Sequence, residues 1–91
     1  MFYVYVLHSD QDAGLYIGYS TDLRRRLVEH KTGMAFATSY RAPWKLIYYE
    51  AYTDLLDAKG HGVFLKSGSG RKFLMKQLAH HFQKHPFRPT A

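Results

Sequence analysis

The sequence predicts an α+β fold, a small and largely antiparallel three-stranded sheet flanked by helices in the order β-β-α-β-α-α. The chain has 91 residues, which is the size of one small domain. Its residues are 46% apolar and 16% aromatic, enough to build a core. Three runs of aromatic and β-branched residues alternate with segments that begin at helix-capping residues and end at glycine or proline. A sheet and its helices must therefore share one core.

The first two strands are predicted as a hairpin. Residues 2–7 are aromatic and β-branched, and a similar run over residues 15–19 follows soon after Gly14. A helix is predicted over residues 23–31, with Gly33 as its C-terminal stop. Three consecutive residues that can cap this helix precede it: Ser20, Thr21 and Asp22.

The second half of the chain begins with a predicted loop over residues 34–44. Residues 45–52 then read as the third strand, again because they are aromatic and β-branched. Asp54 is predicted to cap a helix that reaches residue 65 or 66.

The glycine-rich segment over residues 67–70 is predicted to break the helical region. The last helix would then span residues 71–85 and stop before Pro86. These bounds predict a single domain over residues 1–85 and a C-terminal tail over residues 86–91.

The composition excludes several classes of protein. The chain contains no cysteine, so a disulfide scaffold, a thiolate zinc site and a cysteine nucleophile are all excluded. No apolar run approaches the ~20 residues that a membrane span requires. No basic leader precedes the first apolar run, so we expect a cytoplasmic protein without a membrane partner.

The charge of the chain is unevenly distributed. Residues 1–57 contain six basic and seven acidic residues, whereas residues 58–91 contain seven basic residues and no acidic one. A positive field of this kind favours a polyanionic partner, most often a nucleic acid. The alternative is an ordinary solvated basic surface.

Two tyrosines and two basic residues form a candidate constellation. Tyr5 and Tyr16 lie on consecutive strands, and the period-two alternation can place both rings on one sheet face. Taken alone, such a pair is usually packing. Arg26 and His30 are four residues apart and share a helix face beside the apolar stripe, where a guanidinium needs an anionic partner.

The order of these residues resembles the GIY-YIG nuclease family. Tyr16-Ile17-Gly18 matches the second triplet of the family outright, and Tyr3-Val4-Tyr5 keeps the tyrosine of the first. Residues 41–46 and 65–74 are similar to the short, stand-alone bacterial members. The resemblance therefore covers nearly the whole chain.

The resemblance implies metal-dependent hydrolysis of a DNA phosphodiester, with magnesium or manganese as the ion. In the family, two tyrosines, an arginine, often a histidine, and a glutamate surround the scissile phosphate. Carried over to this sequence, Tyr5 helps to activate the attacking water as a general base or proton relay, and Tyr16 orients that water or a phosphate oxygen. Arg26 stabilises charge on the phosphoryl oxygens, and His30 assists proton transfer or positioning.

The sequence departs from the family at the metal ligand. Short relatives carry a glutamate on the helix before the segment Phe64-Leu65-Lys66, and the matching position here is Gly62. The neighbouring His61 points about 100° away from it and is a softer ligand than magnesium prefers. We therefore expect no intact metal ligand, and a chain that binds DNA but cleaves it poorly or not at all.

Further residues are predicted to contact nucleic acid. The alternative for each of them is a purely structural role, as part of a solvated surface or a tight turn. Arg24 and Arg25 are expected to point away from the sheet, while Tyr40 and Arg41 lie in the central loop. The others adjoin the glycine-rich break: Lys66, Arg71, Lys72 and Lys76. The alternative function is a DNA-binding module or subunit without catalytic activity.

Overall fold

A computed structural model describes residues 1–89, apart from the side chains at positions 36 and 37. The strands are β1 (Phe2–Ser9), β2 (Leu15–Ser20) and β3 (Trp44–Tyr52), and the helices are α1 (Leu23–Thr32), α2 (Leu55–Lys66), α3 (Gly68–Gln77) and α4 (Ala79–Lys84). The strand order is β2-β1-β3, and both strand pairs are antiparallel. The predicted α+β class and three-stranded antiparallel sheet are confirmed.

The two faces of the sheet differ because alternate residues of β1 point in opposite directions. The core face carries Val4 and Val6, which pack with α2, α3 and α4 in one cluster of buried residues. The tyrosine face carries Tyr5 and Tyr16 and lies against α1, whose His30 contacts both rings. β1 is central and is paired on both sides, so its residues 4–9 are all buried.

The helical region after β3 differs from the predicted bounds. α3 begins at Gly68 rather than at residue 71, because Ser67 ends α2 and also caps α3, its Oγ accepting from the Gly70 N–H at 3.1 Å. The backbone then leaves the helical conformation at Leu78 (φ −116°, ψ 38°), so the predicted last helix is two helices, α3 and α4. This bend lets Phe82 of α4 join the core cluster.

The predicted loop over residues 34–44 is also partly helical. A 3₁₀ helix spans Phe36–Arg41, and β3 begins at Trp44, one residue before the predicted start. The short helix places Thr38 in a buried position next to α1, where its hydroxyl hydrogen-bonds His30.

The segment after α4 packs against the domain. The Arg88 N–H donates to the Ala13 carbonyl at 2.9 Å, and Phe87 lies against the core cluster. The predicted tail over residues 86–91 is thus attached as far as the structure describes it, and residues 90 and 91 lie outside the described range. None of the helices within residues 1–89 is long and apolar enough to cross a membrane.

Candidate active site

The two tyrosines of the predicted constellation lie together on the tyrosine face. Tyr5 is paired with Gly18, and Tyr16 is paired with Leu7, so the two rings are diagonal neighbours with centroids 6.4 Å apart. A Cβ atom added at Gly18 would lie 2.2 Å from Cζ of Tyr5. The glycine of the Tyr16-Ile17-Gly18 motif therefore makes room for the Tyr5 ring.

Helix α1 brings His30 to this tyrosine pair. Asp22 caps the helix, its Oδ1 accepting from the Arg25 N–H at 3.1 Å, and Gly33 ends it in the left-handed conformation (φ 79°). His30 is buried at 2% exposure, and its ring centroid lies 5.7 Å from that of Tyr5 and 5.3 Å from that of Tyr16. The imidazole thus fills the space above both phenols.

A chain of hydrogen bonds fixes the tautomer of His30. The Thr38 hydroxyl donates to the Ala35 carbonyl at 3.2 Å, so the same oxygen accepts from Nδ1–H of His30 at 2.7 Å. Nε2 is then unprotonated and accepts from the Tyr5 hydroxyl at 2.9 Å. Burial lowers the pKa of His30, and the charge of Arg26 lowers it further, which keeps the imidazole neutral as this arrangement requires.

Arg26 joins the same network. Its Nη1 donates to Oε1 of Glu29 at 2.8 Å, and its guanidinium lies near enough to the Tyr5 hydroxyl to interact with it electrostatically. Burial raises the pKa of Tyr5, whereas the nearby Arg26 guanidinium acts to lower it. The hydrogen bond from Arg26 lowers the pKa of Glu29. Sequence reasoning missed Glu29, although its place three residues after Arg26 on one helix face was a signal.

The four groups differ in their access to solvent. Tyr5 has no exposed surface, whereas the Arg26 side chain is 36% exposed and Tyr16 is half-buried. A phosphate arriving from solvent would meet Arg26 and Tyr16 first. The Tyr5 hydroxyl lies behind them, where it can exchange its proton with Nε2 of His30.

Gly62 lies outside this cluster. A Cβ atom added there would lie 3.9 and 4.0 Å from the two methyl groups of Val4, which points to the core face. The space is ordinary van der Waals contact, so packing does not require glycine at this position. At Gly60, an added Cβ would have no heavy atom within 4 Å. α2 remains helical through both glycines.

The side chains present do not fit a divalent metal ion. Gly62 has no side-chain oxygen. The carboxylate of Glu29 is already paired with Arg26 at 2.8 Å and with Arg25 at 3.4 Å. Among residues 1–89, no three His, Asp or Glu side chains are grouped closely enough to hold a metal ion.

Glu50 and His61 are hydrogen-bonded to each other on the core face of the sheet. Glu50 accepts from His61 Nδ1 at 2.5 Å, from the Tyr48 hydroxyl at 2.6 Å and from the Tyr52 hydroxyl at 2.8 Å. Burial and this carboxylate together raise the pKa of Tyr52 to about 12. The group is a satisfied polar cluster beneath α2, another feature that sequence reasoning missed.

The residues predicted to contact nucleic acid are spread over two parts of the molecule. Arg24 lines an open groove of about 540 Å³ next to α1, together with Tyr3 and Tyr49, and Arg25 is exposed. Tyr40 is 73% exposed. The other exposed candidates lie on the helices of the core face, away from the tyrosine pair: Lys66, Lys72 and Lys76.

Two of the predicted contact residues also make contacts within the protein, and their role in binding nucleic acid stays a prediction. Arg41 Nε donates to Oδ2 of Asp12 at 2.6 Å, and its guanidinium lies 4.7 Å from the centroid of the Trp44 ring. This ion pair holds the pKa of Asp12 at about 2. Arg71 stacks on Phe87 at 5.1 Å. Their cationic groups are used in folding, a role that a basic residue in a sequence does not reveal.

Comparisons with known proteins agree with this geometry. The family model of the GIY-YIG catalytic domain matches residues 1–60. The UPF0213 protein SpyM50708 of Streptococcus pyogenes serotype M5 (strain Manfredo) is 38% identical over 80 residues, which cover 87% of this chain and 86% of the relative. The UPF0213 protein SpyM3_1077 of S. pyogenes serotype M3 has the same identity and coverage.

A solved structure has the same fold. The solution NMR structure of the UPF0213 protein BH0048 from Bacillus halodurans superimposes with a TM-score of 0.54 at 29% identity, over 85% of each chain. The family model covers well over half of the present chain, and it includes both tyrosines, Arg26 and His30. The chain belongs to the GIY-YIG family.

Proposed function

We propose that this protein acts on the phosphodiester backbone of DNA through the tyrosine-face site, and that its cleavage rate is strongly impaired. Family membership indicates a nuclease-type function, and nucleases of this family generally use a divalent metal. The observation that carries the proposal is the hydrogen bond between Tyr5 and His30 beside the partly exposed guanidinium of Arg26. The expected impairment rests on the resemblance to short family members, which implies a metal-binding glutamate at the position of Gly62.

The role of each side chain in the site follows from its exposure to solvent. Arg26 binds a non-bridging phosphate oxygen, since an exposed guanidinium beside a phenol network is suited to an anion. Tyr16 orients the phosphate or the attacking water. Tyr5 takes the proton of the attacking water as its own hydroxyl proton moves to the unprotonated Nε2 of His30, so the relay forms no free phenolate. Thr38 holds His30 in the tautomer that this relay needs.

Cleavage assays test the proposal directly. The protein is incubated with single-stranded and double-stranded DNA in the presence of Mg²⁺ or Mn²⁺. We expect little or no cleavage by the natural chain and increased cleavage by Gly62→Glu. The loss of a metal that contributes several kcal/mol corresponds to a rate lower by about a thousandfold or more.

Gly60→Glu is the matched control. It adds the same charge to the same helix, at a position where an added side chain meets open space. Rescue by Gly62→Glu but not by Gly60→Glu supports a nuclease that lacks its metal ligand. Cleavage by the natural chain at ordinary nuclease rates would contradict the impairment.

The second candidate function is a DNA-binding module without catalysis. The uneven charge favours it, since residues 58–91 carry seven basic residues and no acidic one. If neither glutamate variant cleaves while all three proteins bind DNA with an affinity that falls steeply as salt rises, the binding function is retained and the catalytic one is rejected.

A further inference from the structure

A second basic site lies on the side of the molecule that carries the core face. It is a cavity of about 220 Å³ between the end of β1, the start of β3 and helix α4. Besides His8, four basic side chains line it: Lys45, His81, Lys84 and His85. We call this cavity the imidazole pocket. None of these four residues belongs to the tyrosine-face site or to the contact residues predicted above.

A pair of histidines at the base of the pocket has a fixed arrangement of protons. Nε2 of His8 donates to the Ala13 carbonyl at 2.9 Å, so Nδ1 of the neutral His8 ring accepts. Nε2–H of His81 supplies that hydrogen bond, also at 2.9 Å. Nδ1 of His81 has no hydrogen-bond partner among the described residues, and it carries a proton whenever His81 is charged. This Nδ1 is an acceptor in the neutral ring and becomes a donor only when His81 is protonated.

The charges around His81 are mostly positive. Burial lowers the pKa of His81 first, and its interactions with the basic groups of His8, His85 and Lys45 lower it further. The ring centroid of His85 lies 5.1 Å from that of His81. Lys84 adds a further positive charge to the lining, and Asp10 is the acidic residue that lines it. Asp10 has no ion-pair partner among the described residues and is exposed, so it offsets this field weakly.

These features select the chemical class of the ligand. Two lysines disfavour a metal cation in the pocket, whereas an oxyanion can accept hydrogen bonds from ammonium groups and protonated imidazoles. An oxyanion would also favour the charged form of His81, which its surroundings now disfavour. We propose that the imidazole pocket binds a backbone phosphate of DNA, as a contact separate from the tyrosine-face site. This proposal rests on the proposed function, because it takes DNA as the source of the phosphate.

The proposal has a distinctive dependence on pH. A phosphodiester stays anionic throughout the range in which histidine titrates. A change of DNA affinity between pH 8 and pH 5.5 therefore reflects protonation of groups on the protein. DNA binding by fluorescence anisotropy should strengthen by roughly five- to tenfold over this range, the effect of about one charge-assisted contact. The double variant His81→Gln/His85→Gln should lose most of this gain.

His80→Gln is the matched control because His80 is exposed on the same helix and does not line the pocket. It should keep the gain of the natural chain. An equal pH dependence in all three proteins would overturn the proposal while leaving DNA binding, and so the proposed function, intact. Lys84→Gln should reduce the slope of log affinity against log salt concentration by about the amount expected for one phosphate contact. An unchanged slope counts against the pocket.

A separate measurement tests the pocket without DNA. Inorganic phosphate is added to the natural chain while the imidazole resonances are followed by NMR, and His81 and His85 should shift more than His80. No selective shift overturns the pocket as an anion site. Selective shifts in a protein that binds no DNA would retain the anion site, reject DNA as its ligand and refute the proposed function.

Discussion

At the scale of single residues, the site depends on the close fit between Gly18 and Tyr5. The hydroxyl of Tyr5 is hydrogen-bonded to Nε2 of His30 at 2.9 Å, so a displacement of the ring weakens that bond. The sequence motif alone indicates a glycine, and the structure gives the reason, since the Tyr5 ring occupies the place of a side chain on the paired strand.

Gly18→Ala should therefore destabilise the protein. The added methyl group meets Cζ of a ring that has no exposed surface. Overpacking of this kind costs about 1–3 kcal/mol of unfolding free energy, which lowers the melting temperature by roughly 4–8 °C per kcal/mol in a domain of this size. Circular dichroism melting measures the change. A variant that melts at the temperature of the natural chain would show that the ring is not confined.

At the scale of the elements, α2 and α3 use their glycines differently. Gly70 lies where α3 crosses the end of α2, and an added Cβ would lie 1.9 Å from the Phe64 carbonyl oxygen. Gly60 has open space around it within the same layer of helices. The two positions thus separate a glycine that the packing requires from one that the helix merely tolerates.

The same substitution at these two positions should have opposite effects. Gly60→Ala should stabilise the fold by about 0.5–1 kcal/mol because alanine favours the helix and restricts the unfolded chain. Gly70→Ala should destabilise it by about 2 kcal/mol or more, since backbone atoms must separate to admit the methyl group. Urea denaturation of both variants provides the comparison. Stabilisation by Gly70→Ala would refute the close approach of the two helices.

At the scale of the whole molecule, the C-terminal segment closes the layer of helices over the core face. Phe87 packs on Phe82 with ring centroids 6.4 Å apart, and Arg71 stacks on its other side. The segment also ties α4 to the β1–β2 turn through Ala13. It therefore contributes to the fold on which both proposed binding sites are built.

Phe87→Ala should lower the free energy of unfolding by about 2 kcal/mol, less than the 3–5 kcal/mol typical of a fully buried ring, because Phe87 is half-buried. Thermal denaturation of this variant, with the exposed Leu56→Ala as control, gives the measurement. Equal melting temperatures for Phe87→Ala and the natural chain would mean that the segment is an unattached tail.

The sequence by itself determined the class of the fold, the three strands and the identity of the central constellation. Strand alternation and helix periodicity are local patterns, so they place Tyr5 and Tyr16 on one face and Arg26 with His30 on another. Residues 1–60 also carry the family motifs, which are ordered along the chain and need no structure to be recognised.

The tertiary structure decided which polar groups are free and which are already paired. Arg41 is bound to Asp12, Glu50 to His61, and His30 to Thr38, over sequence separations of 8 to 29 residues. Such pairings depend on how the elements pack, because a hydrogen bond requires two groups to meet at one distance and angle. For the same reason, only the fold could bring His8 to His81 across 73 residues and so form the imidazole pocket.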